Sequence, residues 1–310
     1  MTVTAPVMLS ANMPHVRVLL ASFNGGRWID EQLDSIFSQQ DVRVSIVASD
    51  DSSQDDTVVR LKERSERAAL KLLPSTGYRF GSAHCNFVRL IRDVDVDDAD
   101  YVALADQDDI WLSRKLARAV ECLSGSGAAG YSSSVTAFWA DGSRRLIDKA
   151  QPQRAFDHFF GSPGPGCTFV LSRAAFDTLQ RWVCESFDRL QEIWVHDWMI
   201  YAFVRSRGLR WYIDDQPNML YRQHGANEIG VNAGWSAAWN RLRHVRSGSY
   251  RRTIVLIADA VGDNSAPMQA VRRLRFVDRV WLLLRVRDFR RRALECAFLF
   301  FFFLVMPREP

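Results

Sequence analysis

No stretch of this 310-residue chain is long and apolar enough to span a bilayer. The most apolar run, Ala293–Met306, carries four consecutive phenylalanines at Phe300–Phe303 but is only about fourteen residues long, where a spanning helix needs roughly twenty. Val280–Leu284 cannot lengthen it, because Arg285, Arg287 and Arg290–Arg292 lie between. The first fifteen residues have neither a cationic n-region nor a sustained apolar h-region, which argues against a secretory signal and predicts a flexible leader over 1–14. Cysteine is sparse: Cys85, Cys122, Cys167, Cys184 and Cys296 are odd in number, scattered and without metal-ligand spacing. That excludes a disulfide framework and fits a reducing compartment. Internal repeats and long low-complexity segments are missing as well.

What is present is a chain 47% hydrophobic, enough for a large core, with a modest net charge of +4 that is unevenly spread. Carboxylates gather around Asp93–Asp109, while arginines cluster late, at Arg272, Arg273, Arg275, Arg279, Arg285, Arg287 and Arg290–Arg292. A basic tail calls for an anionic partner, phospholipid or nucleic acid. Joined to the aromatic run, it reads as a peripheral membrane anchor over Arg272–Met306, with arginines at head-group level and the apolar face at the acyl boundary. The other reading is a C-terminal helix packed on the domain or on a partner chain.

The most informative stretch is Tyr101–Trp111, where an apolar run ends in Asp106, Asp108 and Asp109, three carboxylates within four positions. Tyr101–Ala105 has the length and composition of a buried strand. Carboxylates crowded at its end repel one another and raise each other's pKa unless a cation neutralises them. Hard oxygen ligands point to Mn²⁺ or Mg²⁺, which complete their coordination with phosphate oxygens and water. The bland alternative is a solvated Asp-rich turn.

Around this stretch the first half alternates strand and helix. Strands are expected at Val16–Ala21, Val42–Ala48, Leu70–Leu73 and Tyr101–Ala105, and helices at Trp28–Gln39, Asp56–Ala68, Asn86–Arg92 and Arg114–Leu123. This is an α/β pattern, which implies a single mostly parallel sheet flanked by helices, with ligands beyond the carboxyl ends of the strands. Three polar clusters fall at such ends: Ser22–Asn24, Asp50–Asp51 and Asp106–Asp109. The second half is less regular. A Gly/Pro loop at Gly161–Gly166 precedes a strand at Thr168–Ser172 and a helix from Arg173, and a helix at Val195–Gly208 opens with His196-Asp197-Trp198. Strands at Leu209–Ile213 and Asn218–Arg222 follow, and the chain is expected to be helical and basic from Trp235. The expected organisation is a nucleotide-binding domain over 15–234 and a helical C-terminal extension over 235–310.

Ala21-Ser22-Phe23-Asn24, Asp50-Asp51-Ser52-Ser53, Asp106-Gln107-Asp108-Asp109-Ile110-Trp111, His196-Asp197-Trp198 and Tyr221-Arg222-Gln223-His224 occur in that order. Together, over roughly Val16–Gly230, they resemble the family 2 inverting glycosyltransferases of GT-A fold, in particular the bacterial rhamnosyltransferase-like branch. The resemblance implies transfer of a sugar from a nucleoside-diphosphate donor, here dTDP-rhamnose, to a hydroxyl of a polysaccharide or polyprenyl-linked acceptor. It implies a divalent ion and inversion. Ser22 and Asn24 would meet the nucleotide and its phosphates, Asp51 the pyrimidine N3–H, and Asp106 the ribose and base. Asn86, opening a helix with Phe87, would lie near the nucleotide. Asp108 would hold the metal, Arg222 would approach the diphosphate, and His224 the diphosphate or the metal. Asp197 would be the general base, at a helix N-terminus that favours its ionised form. Gly164–Thr168 resembles the segment beneath the donor sugar. The chain departs from the pattern at Arg79-Phe80-Gly81-Ser82-Ala83-His84 and at Met199. The implied location is cytoplasmic, on the inner face of the plasma membrane, with no nucleic acid partner.

Three rival readings are set against this one. A haloacid-dehalogenase-type phosphatase needs its Asp-x-Asp on the first strand and Thr or Val at the fifth position, where this chain has Ile110. A sugar-nucleotide nucleotidyltransferase needs a glycine-rich, Arg/Lys-bearing signature after the first strand. A non-catalytic membrane- or polyanion-binding protein leaves the ordered carboxylates unexplained.

Overall fold

The computed structural model describes residues 13–224 and 248–307. Most of the expected leader, and the expected boundary at 234/235, lie outside the described residues.

Seven strands form the main sheet, in the order β3-β2-β1-β4-β9-β6-β10. They are β1 (His15–Ser22), β2 (Arg43–Asp50), β3 (Leu70–Leu72), β4 (Tyr101–Ala105), β6 (Gly130–Ser133), β9 (Val170–Ser172) and β10 (Trp211–Asp214). All pairings are parallel except those of β9, so the sheet is mostly parallel, as the alternation implies. Side chains alternate between the two faces with the period of a strand. Leu19 and Ala21 join the core on one face with α3 (Ala83–Asp93), α5 (Arg173–Leu190) and α6 (His196–Ser206). Val18 and Leu20 join the core on the other face with α1 (Ile29–Phe37) and α4 (Lys115–Ser126). The helix α2 (Thr57–Ser65) follows β2 and buries Leu61 on the α1 side.

β1 sits between β2 and β4, with Ser22 beside Asp50 and Leu20 beside Ala105. The chain therefore delivers its three polar clusters side by side at one sheet edge. That edge is where the crossovers diverge, the position at which α/β sheets bind ligands.

A second sheet, for which the sequence gives no clear alternation, runs β5-β11-β7-β8. It is built from β5 (Ile110–Trp111), β7 (Val135–Phe138), β8 (Arg144–Ile147) and β11 (Met219–Arg222). Of its strands β11 matches the strand expected at Asn218–Arg222, whereas β5, β7 and β8, two to four residues long, are too short for a periodicity signal. It matters for position: β11 pairs antiparallel with β5, which directly follows the acidic triplet.

After the undescribed segment, helices span Ser249–Val261, Ala266–Arg273, Phe276–Leu284 and Ala293–Val305. They share the core of α3, α5 and α6, contributing Ile254, Ile257, Leu282, Phe289, Leu299, Phe302 and Phe303. The outer face of the last two helices is apolar, with Phe276, Val277, Leu284, Leu294, Phe298, Phe301 and Leu304 exposed. No described helix is long and apolar enough to cross a membrane. The sequence expectation put the late arginines at a head-group layer. Several instead bind the protein: Arg272 pairs with Asp259 at 2.6 Å, Arg279 donates to the Phe303 carbonyl at 2.6 Å, and Arg290 donates to the Phe160 carbonyl at 2.7 Å. Arg275, Arg285 and Arg287 stay exposed beside the apolar face.

Candidate active site

At the tip of β1 the chain turns sharply. Asn24 takes a left-handed conformation (φ 49°), donates its N–H to Ser53 Oγ, and accepts the Gln54 N–H on its side-chain oxygen, each at 2.8 Å. Asparagine tolerates this conformation better than most residues. Ser22, 2% exposed, donates to Asp50 Oδ1 at 2.8 Å, and Asp50 also accepts the Ser53 N–H. Asp50 is thus the brace of this turn. Gln107, between the acidic residues, accepts the Phe23 N–H and donates to the Phe23 carbonyl, both at 2.8 Å. A Cβ on Gly25 would meet Gln107 Oε1 at 2.0 Å, so the close approach of these two loops requires glycine there.

Asp51 is buried. Its carboxylate accepts the backbone N–H of Phe80 and, at 2.9 Å, that of Gly81, while Arg79 lies 3.8 Å away and stacks over Phe23. The departure at Arg79–Ser82 thereby finds its place: it folds over the pyrimidine-binding candidate. Asn86 is also buried. Its amide donates to the Ser49 carbonyl at 2.9 Å and the Ser22 carbonyl at 3.4 Å, and its oxygen accepts Ser49 Oγ. It ties the tips of β1 and β2 to α3 from behind. Trp111 and Trp198 are both in the core.

The acidic triplet divides into two environments. Asp108 Oδ2 accepts from His224 Nε2 at 2.7 Å, and His224 stacks on Trp28 with ring centres 4.2 Å apart. Arg222 donates from Nε to the Asp108 carbonyl at 2.7 Å and from its N–H to Asp109 Oδ1 at 3.1 Å, with its guanidinium paired to Glu31. The β5–β11 pairing creates this meeting of residues more than a hundred positions apart. Asp109, by contrast, is 1% exposed, and its Oδ2 has no hydrogen-bond partner among the described residues. Burial, then the charges of Asp108 and Asp106, push its carboxyl well above the ordinary range. Donor atoms of Asp106, Asp109 and Cys167 lie within 4.8 Å of one another. Burial and the neighbouring Asp109 hold the Cys167 thiol well above its usual pKa, which keeps it protonated. Crowded carboxylates with an orphaned buried oxygen fit a hard divalent cation, whose charge would relieve their repulsion.

Asp197 is the second residue of α6, and its carboxylate accepts the Trp198 N–H at 2.6 Å. Burial pushes its pKa up to about 6, against the opposing hydrogen bonds of Trp198 and Ser162 and the charge of Lys149. Behind it the half-buried His196 stacks on Phe87 at 4.2 Å and is held neutral, its pKa lowered to about 3 by desolvation and by His84. The loop before β9 joins the two halves of the site. Cys167 touches the acidic cluster, and a Cβ on its neighbour Gly166 would lie 2.3 Å from His196 Nε2 and 3.3 Å from the Asp197 Cβ. The carboxylates at the β4 tip and the carboxylate of Asp197 therefore flank one short segment.

Sequence reasoning had not singled out Gln107, Trp28, Glu31, Ser162 or Lys149. Gln107 lay inside the recognised motif. The others meet the site through residues distant in the chain, such as His224 for Trp28 and Asp197 for Ser162 and Lys149, for which a single sequence carries no signal.

Comparison with known proteins places this geometry in context. The chain is 43% identical over 248 residues to the dTDP-rhamnosyl transferase RfbG of Shigella flexneri, covering 79% of this chain and 86% of that protein. Among solved structures it resembles TarS 1-349 of S. aureus in complex with UDP-GlcNAc (TM-score 0.58, 12% identity, 83% of this chain and 70% of that one). It also resembles the mannosyltransferase PcManGT from Pyrobaculum calidifontis in complex with GDP-Man and Mn²⁺ (TM-score 0.52, 18% identity, 93% and 79%). These two likenesses establish the fold. A scan of protein-family models finds no match. On the strength of the RfbG relationship and the GT-A architecture, the chain belongs to the rhamnosyltransferase-like nucleotide-sugar glycosyltransferases.

Proposed function

We propose that the protein transfers rhamnose from dTDP-rhamnose to a hydroxyl of a polysaccharide or polyprenyl-linked acceptor, in one displacement with inversion, as a family 2 enzyme. The observation that carries this reading is the pair of carboxylate sites on either side of Gly166–Cys167, one at the β4 tip and one at Asp197 with its pKa near 6. A base with that pKa is largely ionised at neutral pH yet retains affinity for a proton, which suits removal of the acceptor hydroxyl's proton. With one displacement there is no covalent intermediate, in keeping with the protonated Cys167.

On the donor side, Asp51 is offered to the pyrimidine and Asp106 to the ribose. Ser22 and Asn24 shape the turn beside the phosphates, with Asn86 fixing the strand tips beneath them. Asp106, Asp108 and Asp109, with His224, would hold Mn²⁺ or Mg²⁺. Bound there, the ion supplies Lewis-acid neutralisation of the departing nucleoside diphosphate. Arg222 keeps Asp108 and Asp109 in register through its backbone and side-chain bonds.

The exposed apolar face of the last two helices, rimmed by Arg275, Arg285 and Arg287, supports peripheral attachment to the anionic inner face of the plasma membrane. There it would meet a lipid-linked acceptor.

The decisive assay follows dTDP release from dTDP-rhamnose with Mn²⁺ present, and the stereochemistry of the product. Metal-dependent release, an inverted linkage, and a loss of at least about 100-fold in Asp108→Ala are expected, since metal-assisted charge stabilisation supplies several kcal/mol. Pyrophosphate release would instead identify a nucleotidyltransferase, and inorganic phosphate a hydrolase.

A further inference from the structure

The segment Asp157–Gly166 borders the Asp197 carboxylate, yet no strand pairing fixes it; it runs between two short 3₁₀ turns, Asp157–Phe159 and Gly166–Thr168. Trp198 holds one end, donating from Nε1 to the His158 carbonyl at 2.9 Å, and the rest of what fixes it comes from the far end of the chain. Arg290 donates to the Phe160 carbonyl at 2.7 Å, and Arg291 donates to the Ser162 carbonyl at 2.7 Å. Arg291 Nε lies 3.4 Å from Asp157 Oδ2, and both side chains are buried. Asp157 is bound in turn by the Tyr201 hydroxyl, so the arginine also reaches the body of α6, whose first turn holds Asp197. Phe289, next to these arginines, is buried against Phe160 at 4.6 Å between ring centres. A Cβ on Gly161 would stand 2.1 Å from Arg290 Nη1, a measure of how closely the two segments approach.

From these contacts we infer that Arg291, assisted by Arg290, is a positioning residue for the general base, and that the C-terminal helices thereby set the geometry of acceptor activation. The inference rests on Asp197 being that base. The path is short: Arg291 holds the Ser162 carbonyl, the Ser162 hydroxyl accompanies the Asp197 carboxylate, and Gly166 closes over His196 and Asp197. The groups facing Asp197 are Ser162 and Lys149 from the neighbouring loops and the backbone N–H of Trp198 from its own helix. Arg291 also approaches the Lys149 carbonyl at 3.5 Å, so it braces both loops. If the last helices dock on lipid, the same arginines couple that docking to the base.

The test compares the parent with Arg291→Ala, Arg291→Lys and Gly161→Ala, the last displacing the Arg290 guanidinium without removing a charge. Steady-state dTDP release from dTDP-rhamnose with Mn²⁺ is followed across pH, with and without a polyprenyl-diphosphate-linked sugar as acceptor. Arg291→Ala is expected to lower kcat about tenfold or more and leave donor KM within about twofold, partly rescued in Arg291→Lys. The acid limb of its kcat profile should move below that of the parent, because burial, the chief cause of the raised pKa, is relieved. Gly161→Ala should show the same signature more weakly, and it carries the test should Arg291→Ala fail to fold. A folded Arg291→Ala, or in its absence a folded Gly161→Ala, with parental kcat and an unmoved acid limb overturns the inference. Failure of the underlying reading looks different: Asp197→Asn would then retain the parent's transfer rate.

Discussion

At the scale of single residues, the site joins groups whose folded environments oppose their ordinary chemistry. Asp197 is an acid whose pKa is raised to about 6 in the fold from an unfolded value near 3.8. Its contribution to stability is fully present below about pH 4 and is lost as pH rises through about 6. Asp197→Asn, which carries no charge to bury, should therefore be more stable than the parent at pH 7.5 by about 1–3 kcal/mol. In urea titrations that advantage should fade as pH falls toward 4. The same variant should lose about 100- to 10,000-fold in transfer rate, the usual worth of a general base. A residue that costs stability while supporting turnover is what a working carboxylate looks like; equal stability at both pH values would mark Asp197 as an ordinary N-terminal carboxylate. Gly166 gives a second case. The His196 ring that a new Cβ would strike is stacked on Phe87 and cannot swing aside freely. Gly166→Ala should cost about 1–3 kcal/mol in urea unfolding and displace Asp197, lowering kcat more than donor KM.

At the scale of elements, long periodic segments could be read directly and short ones could not. The expected bounds of Tyr101–Ala105 match the strand to the residue, those of β1, β2 and α1 match within a residue or two, and α5 starts at the expected Arg173, because each buries one face against the sheet. Of the second sheet only β11 is legible, within a residue of the expected Asn218–Arg222; β5, β7 and β8 are too short to show alternation, and the pairings join distant parts of the chain. That gap bears on the site, since the Asp108–His224 contact exists only through β5 and β11. The order of motifs brought Asp108 and His224 to notice; their pairing required the fold. The start of α3 shows another limit. The helix begins at Ala83, three residues before the expected Asn86, because Ser82 caps it by accepting the Cys85 N–H at 3.2 Å. Ser82→Ala should cost about 1 kcal/mol in thermal or urea unfolding and loosen the Phe80–Gly81 bonds to Asp51. Unchanged stability together with unchanged nucleotide affinity would show that the cap does not govern that loop.

At the scale of the molecule, the C-terminal helices belong to the same core as α5 and α6 while turning an apolar face outward. Removing them would strip Leu282, Phe289 and Phe303 from that core, so truncation is a poor probe of attachment. Charge on the outer face is a better one. Leu284→Asp with Phe298→Asp should keep the melting temperature within a few degrees and abolish sedimentation with anionic vesicles, because both side chains are exposed. Undiminished sedimentation would remove the lipid reading of this face.

One feature at the nucleotide end has a kinetic implication. The carboxylate of Asp51 is engaged by two amides of the protein's own chain before any donor arrives. Under the role proposed for Asp51, a nucleobase N–H approaching either oxygen meets one that already accepts an amide. A ring lacking a correctly placed N–H then has nothing to offer in exchange, and the resident amides keep it out.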